Sequence, residues 1–451
     1  MQPKYWLRPR SKSLMVNKMR FQPPRGTRDF LPEEMIKREF VIDTIKKIFT
    51  AYGFDPLETP AFEYWKLLAA KCGEDVKQQI FKFKDKSDRE LGLRFDLTVP
   101  MARVVANNPQ LPKPFKRYAI APVWRYEEVT AGRKREFYQC DIDIVGSSSM
   151  NAEAECLACA VDCLKALGFN NFKIVINSRK ILEGLLQLAE IPKEKALAVF
   201  RAIDKLGKIS DKGVKEELTR LDLTNRQIDK LLKLITAKGE CEKVLKKGRK
   251  LLEGIEIGES GLRELEEIFE YGKVYGFSKF LVVDFSLARG LDYYNGPIFE
   301  IVIKGRKVGS VAGGGRYDDL IELLGGRKTP ATGISLGIER ILEIMKAEQM
   351  LNLPKTKSKV FVAAVDEKVR GDAIKIAQEL RSEGISCQID LMNRNLTRQL
   401  EFADAMGIPF VIIVGEEELK SKKFKLKDME KKSESSMSLK KIIEMLKNHV
   451  E

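Results

Sequence analysis

Two strand-like segments separated by a short charged loop constrain the fold of this chain more than any other feature. The segments cover residues 117–125 and 136–145, and Gly132 followed by a basic run marks an exposed loop tip between them. Extended segments joined by a short connection pair in opposite directions, so the pattern predicts a long antiparallel pair. Arg125 stands at the end of the first segment, where the loop begins.

The second segment carries polar residues at alternate positions, namely Gln139, Asp141 and Asp143. Alternate residues of a strand share one face of a sheet, so Gln139 and Asp143 can meet Arg125 on a surface that lines a cleft. Acids in an apolar strand are costly to bury without a partner. The alternative is a half-solvated sheet with its charges turned outward, and the pattern alone supports both interpretations about equally.

Composition and periodicity change along the chain and predict five segments. These are an N-terminal extension (1–19), a first part of a mixed α/β core (20–178), a helical insertion (179–271), a second part of the core (272–350) and a C-terminal α/β domain (356–451). The first part contains a predicted helix that begins at Pro32 and ends before Gly53, and strand-like pieces that include 92–98. The insertion is rich in lysine, leucine and glutamate, with helical periodicity.

The C-terminal segment has the pattern of a βαβ fold. Strands VFVAAV, ISCQID and FVIIV alternate with predicted helices at about 367–383 and 395–406. Seven lysines lie among residues 420–432, before a final helix. These lysines either contact a polyanion or form a solvated face, and the net charge of +15 leaves the same choice open for the whole surface.

The chain contains a single histidine, His449, and this scarcity excludes much chemistry. A Ser-His-Asp triad, a two-histidine metal site and histidine acid–base catalysis are therefore not expected. The chain also lacks the phosphate-loop signature and the G-x-G-x-x-G motif after a strand. Any nucleotide chemistry must use other groups.

The seven cysteines do not suggest a disulfide framework, because their number is odd and they are scattered. Cys156, Cys159 and Cys163 share one face of an amphipathic helix without the turn that a zinc site needs, so we expect core residues and not metal ligands. No apolar run approaches the length of a membrane-spanning helix. These features predict a cytoplasmic protein.

Two further segments combine glycine with arginine. Residues 311–342 contain three glycines in a row and a glycine-spaced strand that runs into a helix carrying Arg340. Glycines allow the backbone to approach a bulky ligand, although a glycine-rich stretch alone is a weak signal. Residues 288–300 (ARGLDYYNGPIFE) place Arg289 beside an aromatic turn, which taken alone describes a hairpin with a surface arginine.

Several motifs, in order along the chain, resemble the antiparallel-sheet (class II) aminoacyl-tRNA synthetases. TPAF around Pro60, WRYEE…REFYQ with Arg125, and GISLGIER with Arg340 resemble motifs one, two and three of that class. Within the class, ARGLDYYNG and GGGRYDDL resemble two blocks of the histidyl-tRNA synthetase family, and RGTRDFLPEE and LRFDLTVPMAR match the same family. REFYQCDIDI is similar to its archaeal and eukaryotic members. The resemblance extends from about residue 20 to the end.

The resemblance implies an α+β fold, with a class II catalytic core, a helical insertion and a C-terminal α/β anticodon-binding domain. It implies that ATP and Mg²⁺ are used to activate histidine, which is then transferred to the 3′ end of tRNA(His), and that the enzyme is a homodimer joined through motif one. The insertion is expected to contact the tRNA acceptor arm, the alternative being a spacer.

The family's site residues carry over to matching positions. Catalysis is expected of Arg125 and Arg289. The ATP-binding residues expected are Arg125, Glu127 and Arg340. The histidine-binding residues expected are Asp96, Thr98, Gln139, Asp143, Arg289, Tyr293 and Tyr294. The loop residues expected to reach the tRNA acceptor are Arg133, Lys134 and Arg135.

Three other functions share part of this pattern. A synthetase-like regulatory subunit of ATP phosphoribosyltransferase typically lacks the C-terminal domain and loses motif arginines, whereas this chain keeps Arg125, Arg289 and Arg340. The same arginines argue against an RNA-sensing module without chemistry. A sister synthetase for glycine, threonine or proline shares the motifs but not ARGLDYYNG, and the zinc-dependent threonyl site also needs histidines.

Overall fold

The computed structural model describes residues 21–70, 74–130, 133–206, 209–288, 293–306 and 309–448. The first part of the chain contains α1 (Pro32–Ala51), β1 (Asp55–Pro56), β2 (Phe62–Tyr64), α2 (Trp65–Leu68), α3 (Glu74–Gln79), β3 (Lys82–Lys84), β4 (Glu90–Leu93), α4 (Thr98–Asn107), β5 (Phe115–Trp124), β6 (Glu136–Val145), α5 (Asn151–Ala166) and β7 (Phe172–Ser178).

The middle of the chain is mainly helical before strands return. It contains α6 (Arg179–Leu188), a 3₁₀ turn (Lys193–Lys195), α7 (Ala196–Ile203), α8 (Asp211–Thr219), α9 (Asn225–Leu234), β8 (Lys238–Glu240), α10 (Cys241–Leu251), α11 (Glu256–Val274), a second 3₁₀ turn (Ser278–Phe280), β9 (Leu281–Asp284), β10 (Pro297–Ile303), β11 (Ser310–Arg316), α12 (Leu320–Leu323), β12 (Ala331–Gly337) and α13 (Ile338–Ala347).

The C-terminal part has its own sheet. Its elements are β13 (Val360–Ala364), α14 (Arg370–Ser382), β14 (Cys387–Ile389), α15 (Leu396–Ala405), β15 (Phe410–Val414), α16 (Glu416–Ser421), β16 (Phe424–Asp428), β17 (Ser433–Met437) and α17 (Leu439–Asn448).

A nine-stranded sheet forms the core of the larger part, in the order β1-β5-β6-β12-β11-β10-β7-β9-β8. Its strands pair antiparallel except for β1 with β5 and β7 with β9. A small sheet, β2-β4-β3, lies beside it. The predicted α+β fold, with a mainly antiparallel core sheet and a separate C-terminal sheet, is confirmed.

The predicted antiparallel pair is the centre of this sheet. β5 and β6 pair over ten residues each, from Phe115 opposite Val145 to Trp124 opposite Glu136. The cavity-facing residues of β6 are almost completely buried, with Asp143 1% exposed and Asp141 3% exposed. The half-solvated alternative is therefore wrong, because neighbouring strands and loops cover that face.

Helices α1 and α5 pack on the opposite face of the sheet. α1 begins at Pro32, which suits a first-turn position where no backbone donor is needed, and Gly53 just beyond its end has a φ of +72°, as a glycine tolerates. Cys156, Cys159 and Cys163 of α5 are fully buried in the shared hydrophobic core, as predicted.

One predicted strand is shorter than the sequence suggests. Strand-like patterning covers 92–98, but β4 ends at Leu93 and α4 begins at Thr98. The Asp96 side chain explains the difference, since its Oδ1 accepts a hydrogen bond from the backbone N–H of Val99 at 3.0 Å and so ends the extended run with a turn.

The middle segment joins the main sheet instead of standing apart from it. β8 pairs antiparallel with β9 at the sheet edge, and α6 and α11 pack against β7. Apolar side chains of α7, α8 and α9, such as Phe200, Leu218 and Leu231, belong to the same continuous core as the sheet. This packing fixes the helices relative to the face of the sheet on which the polar residues lie.

The C-terminal sheet has the order β14-β13-β15-β16-β17, with the first three strands parallel and the last two antiparallel. The parallel strands and their helices follow the predicted βαβ pattern. The hairpin of β16 and β17 lies within and after the lysine-rich run, which was expected only to precede a final helix. Phe424 and Leu426 are buried while Lys425 between them is exposed, so the alternation KFKLK was the signal for this strand.

Candidate active site

A cavity of about 600 Å³ opens on the face of the main sheet that carries the polar residues of β6. Eleven of the thirteen predicted site residues line it, namely Asp96, Thr98, Arg125, Glu127, Arg133, Lys134, Gln139, Asp143, Tyr293, Tyr294 and Arg340. Arg135 instead packs its guanidinium over the ring of Tyr126, 3.8 Å from the centroid. Arg289 lies outside the described residues.

The floor of the cavity is built from β6 and β12, which are neighbouring antiparallel strands. Gln139, Asp141 and Asp143 lie opposite Gly337, Ser335 and Gly333 respectively. A Cβ atom on Gly333 would lie 2.2 Å from Asp143 Oδ1, so only glycine leaves room for that carboxylate. The glycines of the sequence therefore make space for side chains of the cavity as well as for a ligand.

Asp143 is held from two sides by buried groups. Arg117 on β5 lies opposite Asp143, and its Nη2 is 2.5 Å from Asp143 Oδ2. The hydroxyl of Tyr317 donates a hydrogen bond to Asp143 Oδ1. Burial raises the pKa of Asp143, and the Arg117 guanidinium and the Tyr317 hydroxyl oppose that rise by stabilising the carboxylate. The orientation of this carboxylate is thus determined by its partners.

Asp96 forms a second buried acidic position, in the turn before α4. Its Oδ2 accepts a hydrogen bond from the hydroxyl of Tyr293 at 3.3 Å. Burial raises the pKa of Asp96 to about 6, although the Val99 N–H, Arg125 and Tyr293 lower it. Thr98, at the start of α4, lies beside it and lines the cavity.

Three tyrosines pack edge to face around the acidic floor. The ring centroids of Tyr293 and Tyr294 are 4.9 Å apart, those of Tyr293 and Tyr317 are 5.6 Å apart, and those of Tyr294 and Tyr317 are 6.4 Å apart. Such packing holds rings rigidly and offers an apolar wall with hydroxyls at its edge. An aromatic or heteroaromatic ligand ring can stack here while its polar atoms meet acids.

Arginines stand at the rim of the cavity, each anchored by a backbone oxygen. Arg125 Nε donates to the carbonyl of Phe95 at 2.9 Å, and its guanidinium lies 5.2 Å from the centroid of the Phe137 ring. Arg340, in the first turn of α13, donates from Nη1 to the carbonyl of Ser310 at 2.6 Å. Planar, permanently charged groups anchored in this way suit the binding of phosphate oxygens.

Glu339, the neighbour of Arg340, is also fixed. It accepts a hydrogen bond from Arg38 of α1 at 2.8 Å and another from the backbone N–H of Tyr138 at 3.1 Å. Arg38 itself is buried between the rings of Phe30 and Tyr138. This arrangement ties the start of α13 to α1 and β6 and so holds Arg340 in place.

The loop between β5 and β6 reaches the mouth of the cavity. Glu127 Oε2 lies 2.5 Å from Arg133 Nε, and Arg133 and Lys134 line the opening. This ion pair is largely solvent-exposed on the arginine side, so it contributes little to stability. Arg133 can therefore exchange Glu127 for an incoming anionic ligand.

Another wall of the cavity comes from the helical middle segment, in which no site residues were predicted. Arg179 of α6 and Leu197, Phe200, Arg201 and Lys205 in or after α7 line it. Asp141, Ser335 and Glu300 also line the cavity without having been predicted. Among these unpredicted lining residues, the sequence pattern placed only Asp141, on one face with Gln139 and Asp143. The others reach the cavity through contacts between distant segments.

The described residues contain neither a cluster of metal-ligating side chains nor a membrane-spanning helix. Within the described ranges, no three or more His, Cys, Asp or Glu side chains are grouped so that they could hold a metal ion. Among the helices described here, none is both long and apolar enough to cross a membrane.

Comparison with known proteins gives consistent matches over nearly the whole chain. The profile of the histidyl-tRNA synthetase family matches residues 26–341, and that of an anticodon-binding domain matches residues 359–449. Histidine–tRNA ligase from Aeropyrum pernix is 44% identical over 88% of this chain and 91% of its own length. That from Gloeobacter violaceus is 40% identical over 92% of this chain and 96% of its own.

Solved structures agree with these relatives. A histidyl-tRNA synthetase from Nostoc sp. PCC 7120 superposes with a TM-score of 0.82 at 31% identity, covering 96% of this chain and 100% of that one. A Bacillus halodurans structure described as an ATP phosphoribosyltransferase regulatory subunit/histidyl-tRNA synthetase gives a TM-score of 0.72 at 25% identity, covering 85% of this chain and 96% of that one.

Proposed function

The chain belongs to the histidyl-tRNA synthetase family, and on this premise we propose how the residues of the cavity divide the work of its reaction. The protein is a histidine–tRNA ligase. It joins histidine to ATP as histidyl-adenylate with release of diphosphate, and then transfers the histidyl group to tRNA(His) with release of AMP. The observation that carries the proposal is the meeting of eleven predicted residues in one cavity.

The first step needs no general base. The nucleophile is the carboxylate of histidine, which is already ionised at neutral pH. Catalysis then depends on alignment and on stabilising negative charge at phosphorus, which arginines can provide without gaining or losing a proton. A chain with a single histidine, outside the described residues, can perform this chemistry.

Arginines are proposed to bind the phosphates of ATP. Arg125 binds the α-phosphate and Arg340 the γ-phosphate, in agreement with their anchored positions at the rim. Glu127, beside Arg125 in the loop, is proposed to contact ATP as well. Arg289, outside the described residues, approaches the α-phosphate from the opposite side, as the family resemblance implies.

Mg²⁺ is proposed to bind with ATP. This ion takes few protein ligands, typically one or two carboxylates together with phosphate oxygens and water. The cavity offers one such carboxylate, because Glu300 lines it from β10 opposite Gly313. The ion supplies neutralising charge on the diphosphate when bound.

Histidine is proposed to lie along β6, with its ring at the Asp143 end. Asp143 and Tyr294 contact the two ring nitrogens, one a donor and one an acceptor in the neutral form. Asp96 and Thr98 bind the α-amino group, Gln139 contacts the carboxylate and amino end, and Tyr293 supports the ring wall. The fixed carboxylate of Asp143 discriminates because analogues without ring nitrogens leave buried polar groups unpaired.

Three basic surfaces are proposed to bind tRNA(His). Arg133 and Lys134 at the cavity mouth, with Arg135 beside them in the same loop, meet the acceptor end, and residues of α6 and α7 line the same cavity. The domain matched by the anticodon-binding profile binds the anticodon stem, with the exposed Lys422 and Lys423, just before β16, available to phosphates. We also propose that the chain divides into five segments, namely 1–19, 20–178, 179–271, 272–350 and 356–451.

A homodimer in the cytoplasm completes the proposal. The small sheet beside Pro60 exposes aromatic side chains, since Phe62 is 52% exposed and Tyr64 56% exposed, and Phe83 packs on Phe62. Exposed aromatic clusters of this kind are typical of protein interfaces. The six cysteines within the described ranges are unpaired, which suits a reducing compartment.

The proposal is tested by ATP–diphosphate exchange with each of the twenty amino acids, followed by charging of tRNA(His). We expect only histidine to stimulate exchange. Replacing Arg289 by lysine keeps the charge but removes the fork, and exchange should fall well over tenfold, because roughly one charge-assisted hydrogen bond is lost. Near-normal exchange by that variant would refute the role given to Arg289.

A further inference from the structure

Asp141 is a buried acid of the cavity to which no role has been assigned. We propose that it binds the α-ammonium group of histidine together with Asp96, an inference that rests on the histidine site proposed above. It lies on β6 midway between Gln139, placed at the carboxylate end of the ligand, and Asp143, placed at the ring. Alternate residues of a strand are roughly 6.6 Å apart, about the span from the α-carbon substituents to the far side of an imidazole.

The surroundings of Asp141, which lines the cavity, leave one of its carboxylate oxygens without a hydrogen-bond partner among the described residues. The side chain is 3% exposed, and the unpartnered oxygen is Oδ1. The residues opposite it in the sheet are small, Ala119 on β5 and Ser335 on β12, so neither fills the space above the carboxylate. A buried polar atom in this situation needs a partner that arrives with the ligand.

The buried charges at and around the cavity floor indicate a cationic partner. Three buried carboxylates, those of Asp96, Asp141 and Asp143, are accompanied by two buried guanidinium groups, that of Arg117 beside Asp143 and that of Arg179 in the wall from the middle segment, so one negative charge remains. Arg117 forms an ion pair with Asp143 at 2.5 Å, and Asp143 also accepts a hydrogen bond from the Tyr317 hydroxyl. The ammonium of an amino acid compensates the remaining negative charge, and its three N–H donors can serve Asp96 and Asp141 together.

Protonation of the Asp141 carboxyl offers a second measurement of the proposal, separate from binding affinity. Burial raises the pKa of Asp141 to about 7, with Asp143 and Asp96 raising it further and Arg117 and Ser335 lowering it. A cation placed against this carboxyl stabilises its ionised form. Because this raised pKa keeps part of the Asp141 carboxyls protonated near neutral pH, binding of an ammonium should release protons.

The test measures binding by calorimetry with three probes that separate the ends of histidine. Histidinol keeps the ammonium and ring but lacks the carboxylate, and 3-(imidazol-4-yl)propionate keeps the ring and carboxylate but lacks the ammonium. We expect Asp141→Asn to weaken histidine and histidinol roughly tenfold or more, and the propionate less than about twofold, because only the ammonium loses a charged acceptor. Asp284→Asn, a buried carboxylate of the same sheet outside the cavity, should change none of the three.

Equal weakening of all three ligands would make Asp141 a ring contact and overturn the proposal, and so would no weakening of any. The wild-type protein provides a second measurement that does not require the variant to fold. Histidinol binding at pH 7 in two buffers of different ionisation enthalpy should reveal proton release beyond that of the propionate, once the ring protons that each free ligand carries at its own imidazole pKa are subtracted; equal corrected release would refute the assignment. If wild-type protein binds no histidine at all, the proposed function itself fails.

Discussion

The guanidinium of Arg117 lies 2.5 Å from the carboxylate of Asp143, and both side chains are buried to within 2% of complete exclusion from solvent. Arg117 also donates to the carbonyl of Leu97 at 3.1 Å, in the turn that carries Asp96. One arginine thus links the two acidic positions proposed for histidine. Its removal tests whether that link matters to binding.

We expect Arg117→Met to raise the KM for histidine roughly tenfold or more and leave the KM for ATP unchanged. Without the guanidinium, the Asp143 carboxylate would be buried beside Tyr317 without a countercharge and would hold a proton, which weakens it as an acceptor. Breaking a buried pair from one side also costs about 3–5 kcal/mol of stability. Exchange kinetics and urea unfolding measure both effects, and an unchanged KM for histidine would contradict the role of the pair.

Asp141→Asn should change how the free energy of unfolding depends on pH. The folded-state pKa of Asp141 is raised to about 7 from 3.8, so folded protein binds this proton more tightly than unfolded protein. The stabilisation from this group is complete below about pH 4 and is lost as the pH rises to about 7. Asparagine does not titrate, so the variant should gain about 2–3 kcal/mol relative to wild type between pH 5 and pH 8. A difference that is constant with pH in urea unfolding would disprove the shift.

Gly333→Ala should damage histidine binding through Asp143. The added Cβ would lie 2.2 Å from Asp143 Oδ1 and 2.6 Å from the backbone oxygen of Ile142, and a paired strand cannot move away easily. The melting temperature should fall, with a loss of roughly 1–3 kcal/mol in the free energy of unfolding, and the KM for histidine should rise. Gly337→Ala on the same strand is the matched control for stability, because its nearest contact is 3.7 Å away, and equal loss in both variants would argue against a steric cause.

Arg125→Lys should lower the rate of ATP–diphosphate exchange by roughly tenfold or more with little change in stability. Lysine keeps the charge but its single nitrogen lacks the planar fork with which arginine donates to the carbonyl of Phe95 through Nε and presents its two Nη groups to a phosphate. Arg306→Lys, in an exposed ion pair with Glu348, provides a control that should retain the wild-type rate. A wild-type rate for Arg125→Lys would remove Arg125 from the phosphate site.

Lys134→Ala should reduce charging of tRNA(His) without reducing exchange. Lys134 lines the mouth of the cavity, where we place the acceptor end, and loss of one phosphate contact should lower the slope of log affinity against log salt by roughly one unit. Lys304→Ala, an exposed lysine after the far end of β10, controls for general charge. If Lys134→Ala and Lys304→Ala reduce charging equally, the effect is nonspecific.

Local patterns in the sequence predicted the elements that depend on near neighbours. The β5–β6 pair, the start of α1 at Pro32 and the C-terminal βαβ strands were all visible, because strand alternation, helix periodicity and first-turn proline act over a few residues. The same alternation in KFKLK indicates β16, but these lysines were interpreted by their charge alone, and the hairpin was not predicted. The turn at Asp96 was missed because the apolar neighbours Phe95 and Leu97 continue the strand-like alternation, while the hydrogen bond from the Val99 N–H to the Asp96 carboxylate ends the strand.

The sequence by itself determined that Gln139, Asp141 and Asp143 share one face, since a strand has a period of two whatever surrounds it. Only the tertiary structure decided that this face is dry, that Arg117 and Tyr317 hold Asp143, and that α7 closes the cavity. Tyr317 is 174 residues from Asp143 along the chain. Burial and charge pairing depend on which distant segments pack together, and no periodicity within a segment contains that information.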